Sequence, residues 1–195
     1  HRPLLSEAEG KHRLPARYLW QTMRPENLRD WQRYVGLLEQ VPVYLGQLEA
    51  TLRACESAGT LPPKQVLRRA RTTCLNWLAG RPFAPLSSSE SPWWSKARAA
   101  LDSCQTLTPE DRHSLEEAID RALTQKVGPA YQQLATTLDE LRASAPEEVG
   151  AWAHKDGMRW YGYRLSRIAG ESVLPQVAHS TGLAEVERLR DRLTT

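Results

Sequence analysis

The chain has 195 residues, 41% apolar and 25% charged, which suits a folded domain with a real core and excludes a disordered chain. Leu occurs 27 times against 11 for Val and Ile together, so a β-sandwich, a barrel or a parallel-sheet enzyme is disfavoured. The net charge of +3 is spread along the chain and makes no concentrated basic face, and no apolar run reaches the ~20 residues of a membrane span.

Residues 1 to 15 are polar, with Pro3, Gly10 and Pro15, and read as an irregular lead-in. A short helix is predicted over Ala16 to Met23, stopped at Arg24-Pro25 because proline disfavours helix in the residue before it. Glu26 to Val41 carries Trp31, Tyr34, Val35, Leu38 and Val41 at helical spacing. Pro42 is expected to kink or break that helix, and Leu45, Leu48, Leu52 and Cys55 continue a stripe as far as Gly59. Pro62-Pro63 opens a third helix whose buried face would be Val66, Ala70, Cys74, Trp77 and Leu78.

The stretch Gly80 to Pro92, with its prolines and its Ser87-Ser88-Ser89 run, reads as a loop. Trp93-Trp94 starts a shorter helix ending near Cys104. Thr108-Pro109-Glu110-Asp111 is a helix start, with a capping hydroxyl, proline at the first helical position and acids in the first turn. That helix is expected to run over Leu115, Ile119 and Leu123 to Gly128-Pro129 and to resume through Tyr131, Leu134, Leu138 and Leu141. After a gap from Ala145 to Gly157, two more helices are predicted, Met158 to Ala169 and Pro175 to Leu193. The second has Leu183, Val186, Leu189 and Leu193 on one face. These elements make an all-α, irregular bundle of about seven to nine helices broken by prolines. It would form a single helical domain over 16–195, with loop 80–92 as a candidate sub-boundary. The chain begins at His1 without an initiator Met or an apolar leader, so a cut product is expected.

Motifs that carry chemistry are mostly absent. No two of His1, His12, His113, His154 and His179 lie three or four residues apart, so no helical zinc pair exists, and no metal or cofactor is assigned. There is no nucleophile elbow, P-loop or dinucleotide fingerprint. Cys55, Cys74 and Cys104 match no zinc or redox spacing and allow at most one internal disulfide, whose state stays open. Three features remain. Lys64, Arg68, Arg69, Arg71 and Arg81 form a basic run with no acid between Glu56 and Glu90, which reads as a solvated helix face or an anion-attracting surface. Trp152, Trp160, Tyr161 and Tyr163 cluster around Asp156-Gly157, to pack between helices or to line a ligand cleft. His179 stands one turn before Gly182-Leu183, to bond a neighbouring helix or to face a cleft.

The stretch Asp156-Gly157, Tyr161, Leu174-Pro175, His179, Gly182-Leu183, Glu185-Val186 resembles a pattern of a large bacterial family, domain of unknown function family 885. Its members read P-x-G-x-x-Y-Y, then T-P-E-E-I-H-x-x-G-L-x-E-V. Asn27, Tyr34, Leu38, Pro42, Tyr44-Leu45, Gln47, Gly59, Pro62-Pro63 and Pro129-Ala130-Tyr131 are also similar to the family, so the resemblance covers about residues 20 to 193. The departures are instructive. Leu174-Pro175-Gln176-Val177-Ala178-His179 lacks the capping Thr and both acids, and Trp160-Tyr161 replaces paired tyrosines. Family members are much longer and carry an H-E-x-x-P-G-H segment typical of zincin-like metallopeptidases, which is absent here.

The resemblance therefore implies the N-terminal, non-catalytic helical half of such a protein, with periplasmic or secreted location. No metal ligand or general base transfers to this chain. The expected role is a scaffold, a peptide-cleft wall or a protein-interaction domain. Its partner would be a protein or peptide: a second copy in a homodimer, or a complementary catalytic domain. Neither nucleic acid nor a membrane span is expected. Missing covering polypeptide should leave a large exposed apolar patch. The alternative is a share in a zinc-dependent peptidase whose H-E-x-x-H half lies elsewhere, with Trp160, Tyr161 and His179 as the binding residues. An Arg-rich module for a polyanion is the third reading.

Overall fold

The computed structural model describes residues 4–5, 10–147, 150 and 156–194. Its elements, in order, are a 3-10 turn Lys11–Arg13, α1 (Leu14–Arg17), α2 (Leu28–Ser57), α3 (Lys64–Trp77), α4 (Pro92–Ser103), α5 (Pro109–Ala122), α6 (Gly128–Leu141), α7 (Gly157–Ala169) and α8 (Pro175–Thr194). The protein is all-α; among the described residues the one β feature is an isolated bridge between Arg81 and Glu90. Two compact units emerge, residues 1–147 and 148–195, and loop 80–92 lies inside the first.

The first unit is built on α2. Asn27 starts it, its side-chain oxygen accepting the Asp30 N–H at 3.1 Å. Trp31, Tyr34, Leu38, Val41, Leu45, Leu48 and Leu52 are buried along one stripe, facing α5 and α6. Pro42 does not break the helix, contrary to expectation: α2 runs unbroken from Leu28 to Ser57. Proline costs an interior helix ~3 kcal/mol. The stripe offsets this, since each of Leu38, Leu45, Leu48 and Leu52 is fully or almost fully buried and contributes about 1.5–3 kcal/mol.

A second expected stop also fails. Between α5 and α6 the chain continues through a π turn, Leu123–Val127, in which the Gly128 N–H bonds Leu123 O. The ring of Pro129 would clash with the carbonyl four residues back in a regular helix, and the wider turn relieves that conflict. Gly128 itself sits against Phe83, where an added Cβ would lie 2.9 Å from the ring. The Thr108 cap is as the sequence predicts, its hydroxyl oxygen accepting the Asp111 N–H at 3.1 Å. On α3 the buried face is Leu67, Ala70, Cys74 and Trp77, with Val66 and Leu78 half-buried at its margins.

The lead-in is more ordered than its composition suggests. Leu5 and His12 are buried. Two hydroxyls fasten the main chain there, Tyr44 donating to Lys11 O at 3.2 Å and Tyr131 to His12 O at 3.0 Å. Around this point Trp20, Trp77, Trp93 and Tyr131 form one aromatic cluster. Trp20 meets Trp93 at 5.1 Å and Trp77 at 5.4 Å, both edge-on, and Trp77 meets Tyr131 edge-on at 5.5 Å. Such pairs each add about 0.5–1.5 kcal/mol beyond area burial.

The second unit is a helical hairpin. α7 ends at Gly170, whose φ of 78° is the left-handed conformation that glycine adopts without a Cβ penalty. Ser166 Oγ then accepts the Val173 N–H at 3.1 Å, holding the turn that leads to Pro175 and α8.

Candidate functional site

A unit this short cannot bury much apolar surface by itself. On α7, Met158, Tyr161 and Ile168 recur at helical spacing and are 54%, 46% and 81% exposed. Trp160 and Tyr163 lie on the adjoining face, also exposed, with the Arg164 guanidinium 5.6 Å from the Trp160 ring. On α8, His179, Leu183 and Val186 fall at i, i+4 and i+7, and Leu189 and Leu193 extend the same side. All of them are exposed. The hairpin thus offers two apolar helical faces to solvent.

Trp160, Tyr161 and His179 therefore share one unit, the first two adjacent on α7 and the third on α8. Packing of Trp160, Tyr161 and Tyr163 between helices, the plainer expectation, is not what forms: all three are exposed. Trp152 lies outside the described residues. His179 is exposed, and among the described residues it makes no hydrogen bond or ion pair. On the polar side of α8, Arg188 grips Glu185 through both Nε (2.8 Å) and a second guanidinium nitrogen. That hydrogen bond holds the Glu185 carboxyl below its ordinary range.

Elsewhere the geometry argues for structure. The basic run is partly answered by acids that the sequence keeps far away: Lys64 Nζ meets Glu147 at 2.6 Å and Arg71 Nε meets Asp139 at 3.7 Å. His12, which spacing arguments passed over, is 1% exposed, its ring tilted and 6.4 Å from that of Trp77. Burial, with Arg13 beside it, lowers its pKa to about 4, so it stays neutral in the fold. Nothing local hints at this, because residues 1 to 15 are polar and the neighbours of His12 come from α3 and α6. Cys55, Cys74 and Cys104 are all free thiols, and burial pushes Cys74 up to about 12. Among the described residues no group of three or more His, Cys, Asp or Glu side chains is placed to hold a metal ion. No described helix is long and apolar enough to cross a membrane.

None of the curated proteins matches this sequence. Among solved structures, the chain superposes with a TM-score of 0.84 on the crystal structure of the "putative lipoprotein" from Colwellia psychrerythraea, at 22% identity. That likeness, which establishes the fold alone, covers 95% of this chain and 31% of the other, so the chain spans about a third of that protein's length. Residues 4–195 match the family described as "Bacterial protein of unknown function (DUF885)". With the match running over nearly every residue, the chain belongs to that family.

Proposed function

We propose that this chain is a non-catalytic helical docking domain that serves as scaffold and cleft wall. Its α7–α8 hairpin packs against the additional polypeptide of the longer family architecture, supplied on the same or a separate chain. One observation carries the reading: Trp160, Tyr161, Leu183, Val186 and Leu189 are exposed together on a hairpin whose own helices do not cover them. The shared fold over only 31% of the larger Colwellia protein supports it, since that protein has further polypeptide able to cover such faces.

The test is to mix this chain with a separately produced remainder of that longer relative, the part outside the shared fold, and to follow the mixture by sedimentation velocity. A one-to-one complex is expected, abolished by Leu183→Asp with Leu189→Asp. Absence of a complex, or assembly into a homodimer through these faces, overturns the choice of partner.

A second reading rests on the exposure of Tyr161 and His179, which leaves both able to touch a substrate. In it, docking completes a zinc-dependent peptidase whose metal ligands all lie on the added polypeptide. Zinc-dependent peptide cleavage by the mixture, reduced by His179→Ala, is the expected result. Equal turnover by the partner alone removes this reading. An extracytoplasmic location fits the description of the Colwellia protein, and fractionation of a bacterium carrying this chain checks it.

A further inference from the structure

Between the π turn Tyr18–Thr22 that follows α1 and the α4 helix lies a cleft of about 620 Å³, a size that suits a small organic molecule. Part of its lining is apolar, with Trp20 and Met23 on the side of the turn and Ala100 on α4. Edge-on contacts with Trp77 and Trp93 hold the Trp20 ring in place, so this wall is formed before any ligand arrives.

The rest of the lining carries excess positive charge. Arg24 and Lys96 are exposed at the cleft, and among the described residues neither makes a hydrogen bond or an ion pair. Glu26 is the one acid of the lining. Two cations against one acid suit a monoanion better than a doubly charged phosphate.

Tyr34, on α2, lines the cleft although it is only 3% exposed. Among the described residues its hydroxyl makes no hydrogen bond, whereas those of Tyr44 and Tyr131 both donate to main-chain carbonyls. Burial raises the Tyr34 pKa, so at neutral pH the oxygen keeps its proton and stands ready to donate. A buried donor without an acceptor is a net cost to a fold, and phenylalanine would fill the same space without that cost. An acceptor entering the cleft from outside accounts for the hydroxyl.

We propose that this cleft binds a small organic acid, a single carboxylate on an apolar body. The Tyr34 hydroxyl donates to the carboxylate, Arg24 and Lys96 balance its charge, and the apolar body lies against Trp20 and Met23. The site belongs wholly to the first unit, so it does not depend on what the α7–α8 hairpin docks against.

The probe is 4-phenylbutyrate, titrated by calorimetry into the native chain at pH 7 and low salt, beside its neutral amide 4-phenylbutanamide. A single site with a Kd below about 1 mM is expected for the acid. The amide should bind at least about tenfold more weakly. Arg24→Gln with Lys96→Gln narrows that gap, as added salt does. Tyr34→Phe weakens the acid about tenfold yet leaves the urea midpoint unchanged or higher, because the hydroxyl it removes has no partner in the fold. Leu183→Asp with Leu189→Asp, on the exposed hairpin, leaves binding as it was. The comparison of acid with amide on the unsubstituted chain requires no variant to fold. No binding of the acid, equal binding of acid and amide, or binding that survives Tyr34→Phe but is lost with the hairpin variant overturns the proposal.

Discussion

The Tyr131 hydroxyl donates a 3.0 Å hydrogen bond to the main-chain oxygen of His12, joining α6 to a segment 119 residues earlier. Both groups are buried, and the Tyr131 ring is packed between Trp77 and Trp93. Tyr131→Phe keeps the ring contacts and strands the His12 carbonyl. The expected cost is about 1–3 kcal/mol, read as a lower urea midpoint at unchanged slope.

His12 gives the fold a dependence on acid. Its pKa is about 4 in the native state against 6.5 for an ordinary histidine. Between those values the unfolded chain binds the proton and the folded chain does not. Stability contributed by the neutral ring is therefore whole above pH 6.5, falls as pH drops, and levels off below pH 4. The full span is worth about 3 kcal/mol. Urea titrations from pH 7.5 to 4 measure it, and His12→Phe should flatten this part of the profile.

Two glycines separate backbone strain from close packing. Gly80 has a φ of 98°, and a Cβ there would meet the main-chain atoms Glu90 C, Ser89 O and Ser91 N at 2.8 Å. Gly59, at φ 66°, has open space around it. Gly59→Ala should cost about 1–2 kcal/mol, the left-handed penalty alone. Gly80→Ala must also push apart the closure in which Arg81 and Ser91 donate hydrogen bonds to Ser89 O and Arg81 O. A loss at least ~2 kcal/mol larger is expected, compared by thermal melting.

The hairpin faces should be nearly silent in stability. Val186→Ala and Leu189→Ala remove side chains that are 54% and 45% exposed, so changes within ~0.5 kcal/mol are expected. Leu134→Ala, fully buried on α6, should cost ~2–5 kcal/mol by the same denaturation measurement.

Local signals in the sequence carried far where one element decides the outcome. The stripe Trp31, Tyr34, Leu38 and Val41 and the Thr108 cap are both realised, since periodicity and capping act within a few residues. The proline rules misled at Pro42 and Pro129 because each is a local cost, outweighed or evaded by long-range packing and by a wider turn. The aromatic cluster around His12 could not be read in advance, as its members come from four separate stretches of chain. On α8 the spacing of Leu183, Val186 and Leu193 correctly marks one face, but periodicity says nothing of what lies opposite.

The π turn between α5 and α6 makes the length of the chain there as consequential as its chemistry. Such a turn holds one residue more than a regular α turn, and each residue rotates the downstream helix by about 100°. Deleting the exposed Gln125 would leave a tidier helix yet swing Tyr131, Leu134 and Leu138 away from α2. In this family, insertions and deletions should therefore be tolerated far less between Leu123 and Val127 than substitutions at the same positions.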